Sequence, residues 1–181
     1  MSQSDTDVDA AGETVYFPSQ KWFAIYEQRI NENEEYAEQA SDWGTDFNGD
    51  FIFEMRDMPI DQMDTEAMPE ELREDLERYV NEENGSYVGY GYLGLEGGKC
   101  TGAELVEDKD EVDVGFVLSA DSDTWKQLMR GDIGVVDGMM SGQFEIDGDM
   151  QKVMQYSQSA VLLTDTAADI DAKFADEEFE Q

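Results

Sequence analysis

Forty-five acidic residues against eleven lysines and arginines give this chain a formal charge of −34, and any fold it adopts must tolerate that imbalance. At ordinary ionic strength so much like charge drives a compact chain apart, and a sequence this acidic with few aromatics would stay unfolded. Aromatic residues make up 11% of this one, however, and its apolar residues fall into periodic segments, so most of its length is expected to fold. The acidity is better matched to solvent than to a partner. In molar salt the screening length contracts to about 3 Å and surface repulsion largely vanishes. Only 6 of the cations are lysine, whose stems add apolar surface. The composition resembles that of a halophilic archaeon. No basic patch is available to meet phosphates, so nucleic acid is not an expected partner, nor is stable membrane insertion.

With 181 residues the chain suits one domain, read as residues 15–181, preceded by an acidic, aperiodic and disordered arm over residues 1–14. The first residues have neither a basic nor an apolar signal region, and no stretch approaches 18 apolar residues. Cys100 is alone and can form no intrachain disulfide. A cytoplasmic location is expected.

Periodicity places the elements. Trp22, Tyr26 and Ile30 recur every fourth residue behind Pro18, which predicts a helix to about Ser41 whose half from Asn31 to Glu38 is solvated. Residues 46–55 alternate, with Phe47, Phe51, Phe53 and Met55 on one buried face. A second helix is expected from Pro69, with Leu72, Leu76, Tyr79 and Val80 on its apolar stripe and Asn84-Gly85 ending it. Strands follow at about 86–95, 99–107 and 111–119, with Val112, Val114, Phe116 and Leu118 sharing a face. Asp121 or Ser122 caps a helix carrying Trp125, Leu128 and Met129. A short strand at Gln143–Asp147 leads to a helix from Asp149 that turns Met150, Val153, Met154 and Val161 inward. A tail with Ala167, Ile170 and Phe174 repeats the helical spacing. The expected fold is α+β: about five mostly antiparallel strands with helices packed on one face, an arrangement that can enclose an apolar cavity.

Motifs that could signal chemistry do not survive their context. Gly89-Tyr90-Gly91-Tyr92-Leu93-Gly94 spells a dinucleotide fingerprint, but those glycines must sit between a strand and a following helix. Here the helix comes first, and the tyrosines suit a strand thinned for a helix to pack on. Asp5, Asp7 and Asp9 open like a calcium loop, yet Ala10 stands where glycine is required and Tyr16 where glutamate is. Asn84-Gly85-Ser86 has the form of a glycosylation site, which the missing secretion signal leaves unused. The chain has no histidine, which removes the commonest proton shuttle, the Ser–His and Cys–His nucleophiles and the usual imidazole ligands. Neither an enzyme nor a bound cofactor or metal is expected.

Residues 122–156 read SDTWKQLMRGDIGVVDGMMSGQFEIDGDMQKVMQY. The order runs from a helix with Trp125 and Leu128, released at Gly131, to the apolar pair Met139-Met140 and then Ser141-Gly142. A strand with Phe144 and Ile146, a Gly148-Asp149 turn and a helix with Met150, Val153 and Met154 complete it. This stretch resembles the C-terminal half of the sterol carrier protein type 2 family. The resemblance implies an apolar tunnel between sheet and helices, lined here by Phe116, Leu118, Trp125, Met139, Met140, Phe144, Ile146, Met150 and Met154. Methionines suit an adaptable wall. The implied ligand is an apolar small molecule or lipid: an isoprenoid lipid, a quinone or an acyl chain. The competing expectation is a protein-interaction or dimerisation module of the same fold, with the chain a monomer or a homodimer.

Overall fold

The computed structural model describes residues 15–180, so the acidic arm and the Asp5–Asp9 motif lie outside the described residues. In chain order, strand β1 (Tyr16–Phe17) precedes helices α1 (Gln20–Asn31) and α2 (Glu34–Gln39) and strand β2 (Phe51–Arg56). Helix α3 (Glu70–Tyr79) then leads into β3 (Val80–Glu83), β4 (Ser86–Glu96), β5 (Lys99–Val106) and β6 (Phe116–Asp121). Next come α4 (Ser122–Met129), α5 (Val135–Met140), β7 (Glu145–Asp147), α6 (Met150–Gln155) and α7 (Ser157–Ala168). Strand β8 (Lys173–Phe174) and helix α8 (Ala175–Glu178) end the order.

The first two helices differ from the expectation, each for a local reason, and the one expected from Asp149 is broken at Tyr156 into α6 and α7. Ser19, not Pro18, caps α1: its hydroxyl accepts from the Trp22 N–H at 3.1 Å. The helix expected to reach Ser41 is cut at Asn33, whose backbone is extended and whose side chain accepts from the Tyr36 N–H at 3.0 Å to start α2. Tyr36, on the half read as solvated, is buried. The second helix stops at Tyr79, and Val80–Glu83 form a strand paired antiparallel with residues 86–89 of β4. Asn84 and Gly85 both have positive φ, 54° and 83°, so the pair is a hairpin turn and not a helix end. A two-residue turn with both residues left-handed matches the twist of the strands it joins.

The main sheet has six strands, mostly antiparallel. β2 lies antiparallel to β4 and parallel to β6, and β7 closes one side antiparallel to β6. The other edge of β4 is shared, β3 pairing with its first residues and β5 with Tyr90–Glu96. The backbone of β5 also bonds to α1. The Gln20 side chain donates to the Leu105 carbonyl (3.1 Å) and accepts from the Leu105 N–H (2.8 Å). Asn31 does the same for Cys100 at 3.0 and 2.8 Å. Eleven helical steps and five strand steps each span about 16 Å, so the two amides at the ends of α1 match two points on β5. Such cover blocks edge-to-edge association.

Along β2 the side chains alternate between two faces. Phe51, Phe53 and Met55 join the large core beneath the helices, whereas Ile52 joins Val88, Tyr90 and Val106 on the opposite face. That second face is apolar too, contrary to the single buried face expected, and Val112 and Val114 of the β5–β6 connection pack against it. The glycine-rich run lies wholly within β4, as its tyrosines implied. A Cβ on Gly91 would stand 2.5 Å from Cζ of Phe23, a residue of α1 that is 1% exposed. Gly91→Ala is therefore expected to lower stability by about 1–3 kcal/mol by overpacking. An unchanged urea midpoint would show that α1 does not press on the strand there.

Candidate functional site

The helical layer does not fill the space over the sheet. Helix α7 turns Ala160, Leu163, Thr164 and Ala167 inward at the i, i+3, i+4, i+7 spacing of one helix face, and three of the four are small. Beneath them is a cavity of ≈ 50 Å³, floored by Phe51, Phe53, Leu93 and Leu118 and walled by residues of α4 and α5, including Trp125, Leu128 and Met139. A void of ≈ 30 Å³ continues toward Trp43 and Tyr156 and shares Phe51, Val153, Ala160 and Leu163 with the first. A third, of ≈ 330 Å³, lies at the C-terminal end of α7, shares Met129 and Ala167 with the first, and is bordered by Arg130, Asp169 and Asp171. All three voids therefore share residues of α7.

The central cavity has very little chemistry to offer. Its polar side-chain groups are the hydroxyls of Tyr26 and Thr164 and the indole N–H of Trp125, and all three donate to backbone carbonyls, Leu163 at 2.9 Å, Val161 at 3.0 Å and Glu54 at 3.0 Å. Burial pushes the Tyr26 hydroxyl well above the usual tyrosine range, so it remains a proton donor. Cys100 sits apart in the core, its thiol pushed up to about 12 chiefly by burial. What this space can do is remove apolar surface from water. Its size sets a condition, since a dry apolar cavity known to take benzene measures roughly 150 Å³. A hydrocarbon tail can enter only if the roof moves outward and joins the voids. Polar ties from α7 to α1 and α2 include the Tyr26 bond and a 3.2 Å bond from Asn33 to Thr166.

The residues singled out from the sequence separate into groups. Leu118, Trp125, Met139 and Ile146 line the central cavity. Phe116 lies deeper, its ring 5.0 Å from Phe51 and 5.3 Å from Trp43 in an aromatic stack. Phe144 is buried behind Trp125, with its ring against Gly138, where a Cβ would meet it at 2.5 Å. Met150 is half-buried against the core but does not line the cavity. Met140 is 71% exposed and Met154 only half-buried; Met139 and Val153 occupy the inward positions instead. Val161, expected to face inward, is 38% exposed, because the inward face of α7 is one residue out of phase with it. The sequence reading missed the sheet floor of Phe51, Phe53 and Leu93 and the small residues of α7. The alternation of β2 signalled Phe51 and Phe53; the spacing 160, 163, 164, 167 was available to signal the roof.

A mixed sheet roofed by helices over an apolar space defines the class: this is the fold of the sterol carrier proteins. Residues 82–160, which include the 122–156 stretch that first suggested it, match the model of the SCP-2 sterol transfer family. A crystal structure of sterol carrier protein 2 superposes with a TM-score of 0.62 at 24% identity, covering 83% of this chain and 96% of that one. A conserved hypothetical protein from Thermus thermophilus, solved in solution, gives the same TM-score and identity over 85% of this chain and 89% of its own. No curated protein sequence matches the chain. Among the described residues no helix is long and apolar enough to cross a membrane.

Proposed function

We propose that this protein is a non-catalytic carrier of an apolar ligand, held between sheet and helices under α7. The reading rests on one observation above the others: an apolar space under a helix that turns small residues inward, in a chain whose residues 82–160 match a sterol transfer family. Binding is driven by desolvation, worth about 25 cal/mol for each Å² of apolar surface removed from water. The acidic composition favours a salt-rich cytoplasm as its setting, where isoprenoid lipids and quinones are the apolar molecules to hand, with acyl chains next. The sequence evidence against an enzyme is matched by a cavity whose two hydroxyls are already committed.

Native mass spectrometry of the protein purified in molar KCl from a salt-adapted host is expected to show a co-bound apolar molecule that organic solvent releases. Repeated recovery of ligand-free protein that also fails to take up a fluorescent apolar probe overturns the carrier reading. The second reading, a dimerisation module, is favoured by the half-buried Val112, Val114 and Val117 on the opposite face of the sheet. Under it, size-exclusion chromatography in molar KCl gives a ligand-independent dimer.

A further inference from the structure

Resting on that carrier reading, we infer that the ligand enters through the groove between the C-terminal ends of α4 and α7, past Met129 as a gate, and that this groove selects neutral polar head groups over carboxylate and phosphate ones. The placement comes from volume and continuity. The groove is the largest of the three voids, at ≈ 330 Å³ against ≈ 50 Å³ for the central cavity, and Met129 and Ala167 line both. Ala167 is the smallest side chain that can face a neighbour, so Met129, the last residue of α4, is the movable part of the partition. An unbranched side chain with three rotatable bonds can swing aside at little cost.

Head-group preference follows from how the charges are paired. Arg130, the groove's own cation, lies over the Phe174 ring at 4.8 Å and is bonded to Glu177. Lys126 is held by Asp176 at 2.7 Å and by Glu177 at 2.9 Å, which leaves two cations facing two acids of α8. Lys173 is 3.6 Å from Glu178. Among the described residues no cation pairs with Asp169 or Asp171, which are exposed at the groove. An anionic head placed there would meet two uncompensated carboxylates and would have to compete with Glu177 for the guanidinium. A hydroxyl or a quinone carbonyl meets no such repulsion and can use the same donors and acceptors.

The test uses tail-matched probes, geranylgeraniol and geranylgeranoic acid, titrated against the full-length protein in 1 M KCl with tryptophan fluorescence as the readout. The alcohol is expected to bind about threefold tighter in 1 M KCl, where screening blunts repulsion by the two carboxylates without removing it at contact, and the preference should widen as KCl is lowered. Asp169→Asn combined with Asp171→Asn is expected to bring that ratio close to one by improving the acid alone. Both aspartates are at the surface, and an unchanged thermal midpoint confirms that the variant is folded. Met129→Ala should speed association of the alcohol severalfold while moving its Kd much less. Equal or tighter binding of the acid, or a ratio the double variant leaves unchanged, overturns the head-group assignment. An unchanged association rate in Met129→Ala overturns the gate. If neither probe binds, the carrier reading itself fails, and this inference with it.

Discussion

Trp125→Ala is expected to cost about 3–5 kcal/mol, the range for truncating a large buried aromatic, and to lower the thermal midpoint by on the order of 10 °C in a chain of this size. Trp125 is 2% exposed and belongs at once to the core, to the sheet and to the candidate cavity. Its ring sits 5.1 Å from both Phe53 and Phe144, so its loss leaves two aromatic rings without a partner. Its indole N–H donates to the Glu54 carbonyl at 3.0 Å, tying α4 to the central strand β2. Truncation therefore removes packing and also leaves that carbonyl without its indole donor. Trp125→Phe separates the two effects: it keeps most of the ring and should cost only about 1–2 kcal/mol, the share of the hydrogen bond. Urea denaturation in fixed molar KCl measures both variants. If the alanine variant costs no more than the phenylalanine one, the ring is not packed as described, and the wall of the cavity on the α4 side is wrong.

The fold was legible where short-range periodicity and burial coincide. The Trp125–Leu128 spacing, the alternation around Phe51 and the Asp149 turn each constrain a few neighbouring residues, and each element formed where the pattern lay. Asn84-Gly85 shows why other elements were missed. The same dipeptide serves as a helix end or as a hairpin turn, and Val80–Glu83 has no alternation to distinguish them, since its acids are exposed on a sheet edge. Parallel pairing of β2 with β6 joins residues about 65 positions apart, and no local pattern encodes that. The second apolar face of β2 was hidden by Glu54 and Arg56, which follow Ile52 on the same side of the alternation, although Ile52 is fully buried there.

At the candidate site the errors were ones of phase. Met139 with Met140, and Val153 with Met154, are adjacent pairs in six-residue helices, too short for periodicity to choose which member faces inward. Tertiary contact decides instead. Gly138 packs directly on the Phe144 ring, which fixes the rotation of α5 and leaves Met140 outside. In α7 the inward residues are mostly alanine and threonine, which a search for bulky apolar stripes passes over. The space beneath them exists because those positions are small.

Diluting the protein from 2 M to 0.1 M KCl at neutral pH is expected to destabilise it by several kcal/mol, enough to unfold much of it. Two like charges about 8 Å apart in water repel by about 0.5 kcal/mol, and 45 acids with only 11 cations to answer them leave many such neighbours on one small surface. A few dozen of these add up to the same order as the roughly 5–15 kcal/mol that holds an ordinary domain together. Screening decides whether the repulsion is felt, because the Debye length is about 10 Å at 0.1 M and about 3 Å at 1 M. The attractive pairs cannot compensate at low salt: the Arg78–Glu107 and Lys173–Glu178 bridges are exposed, and pairs of that kind contribute about 0–1 kcal/mol each. Urea midpoints across a KCl series should rise steeply and then flatten once screening is complete. Replacing exposed acids away from any bridge, such as Glu70, Glu74 and Glu77 of α3, with glutamine should flatten the series at its low-salt end. A general strengthening of apolar burial by salt would leave that slope unchanged in the variant. A midpoint equal at 0.1 M and 2 M KCl would mean that the acidic surface is matched to a basic partner and not to concentrated salt.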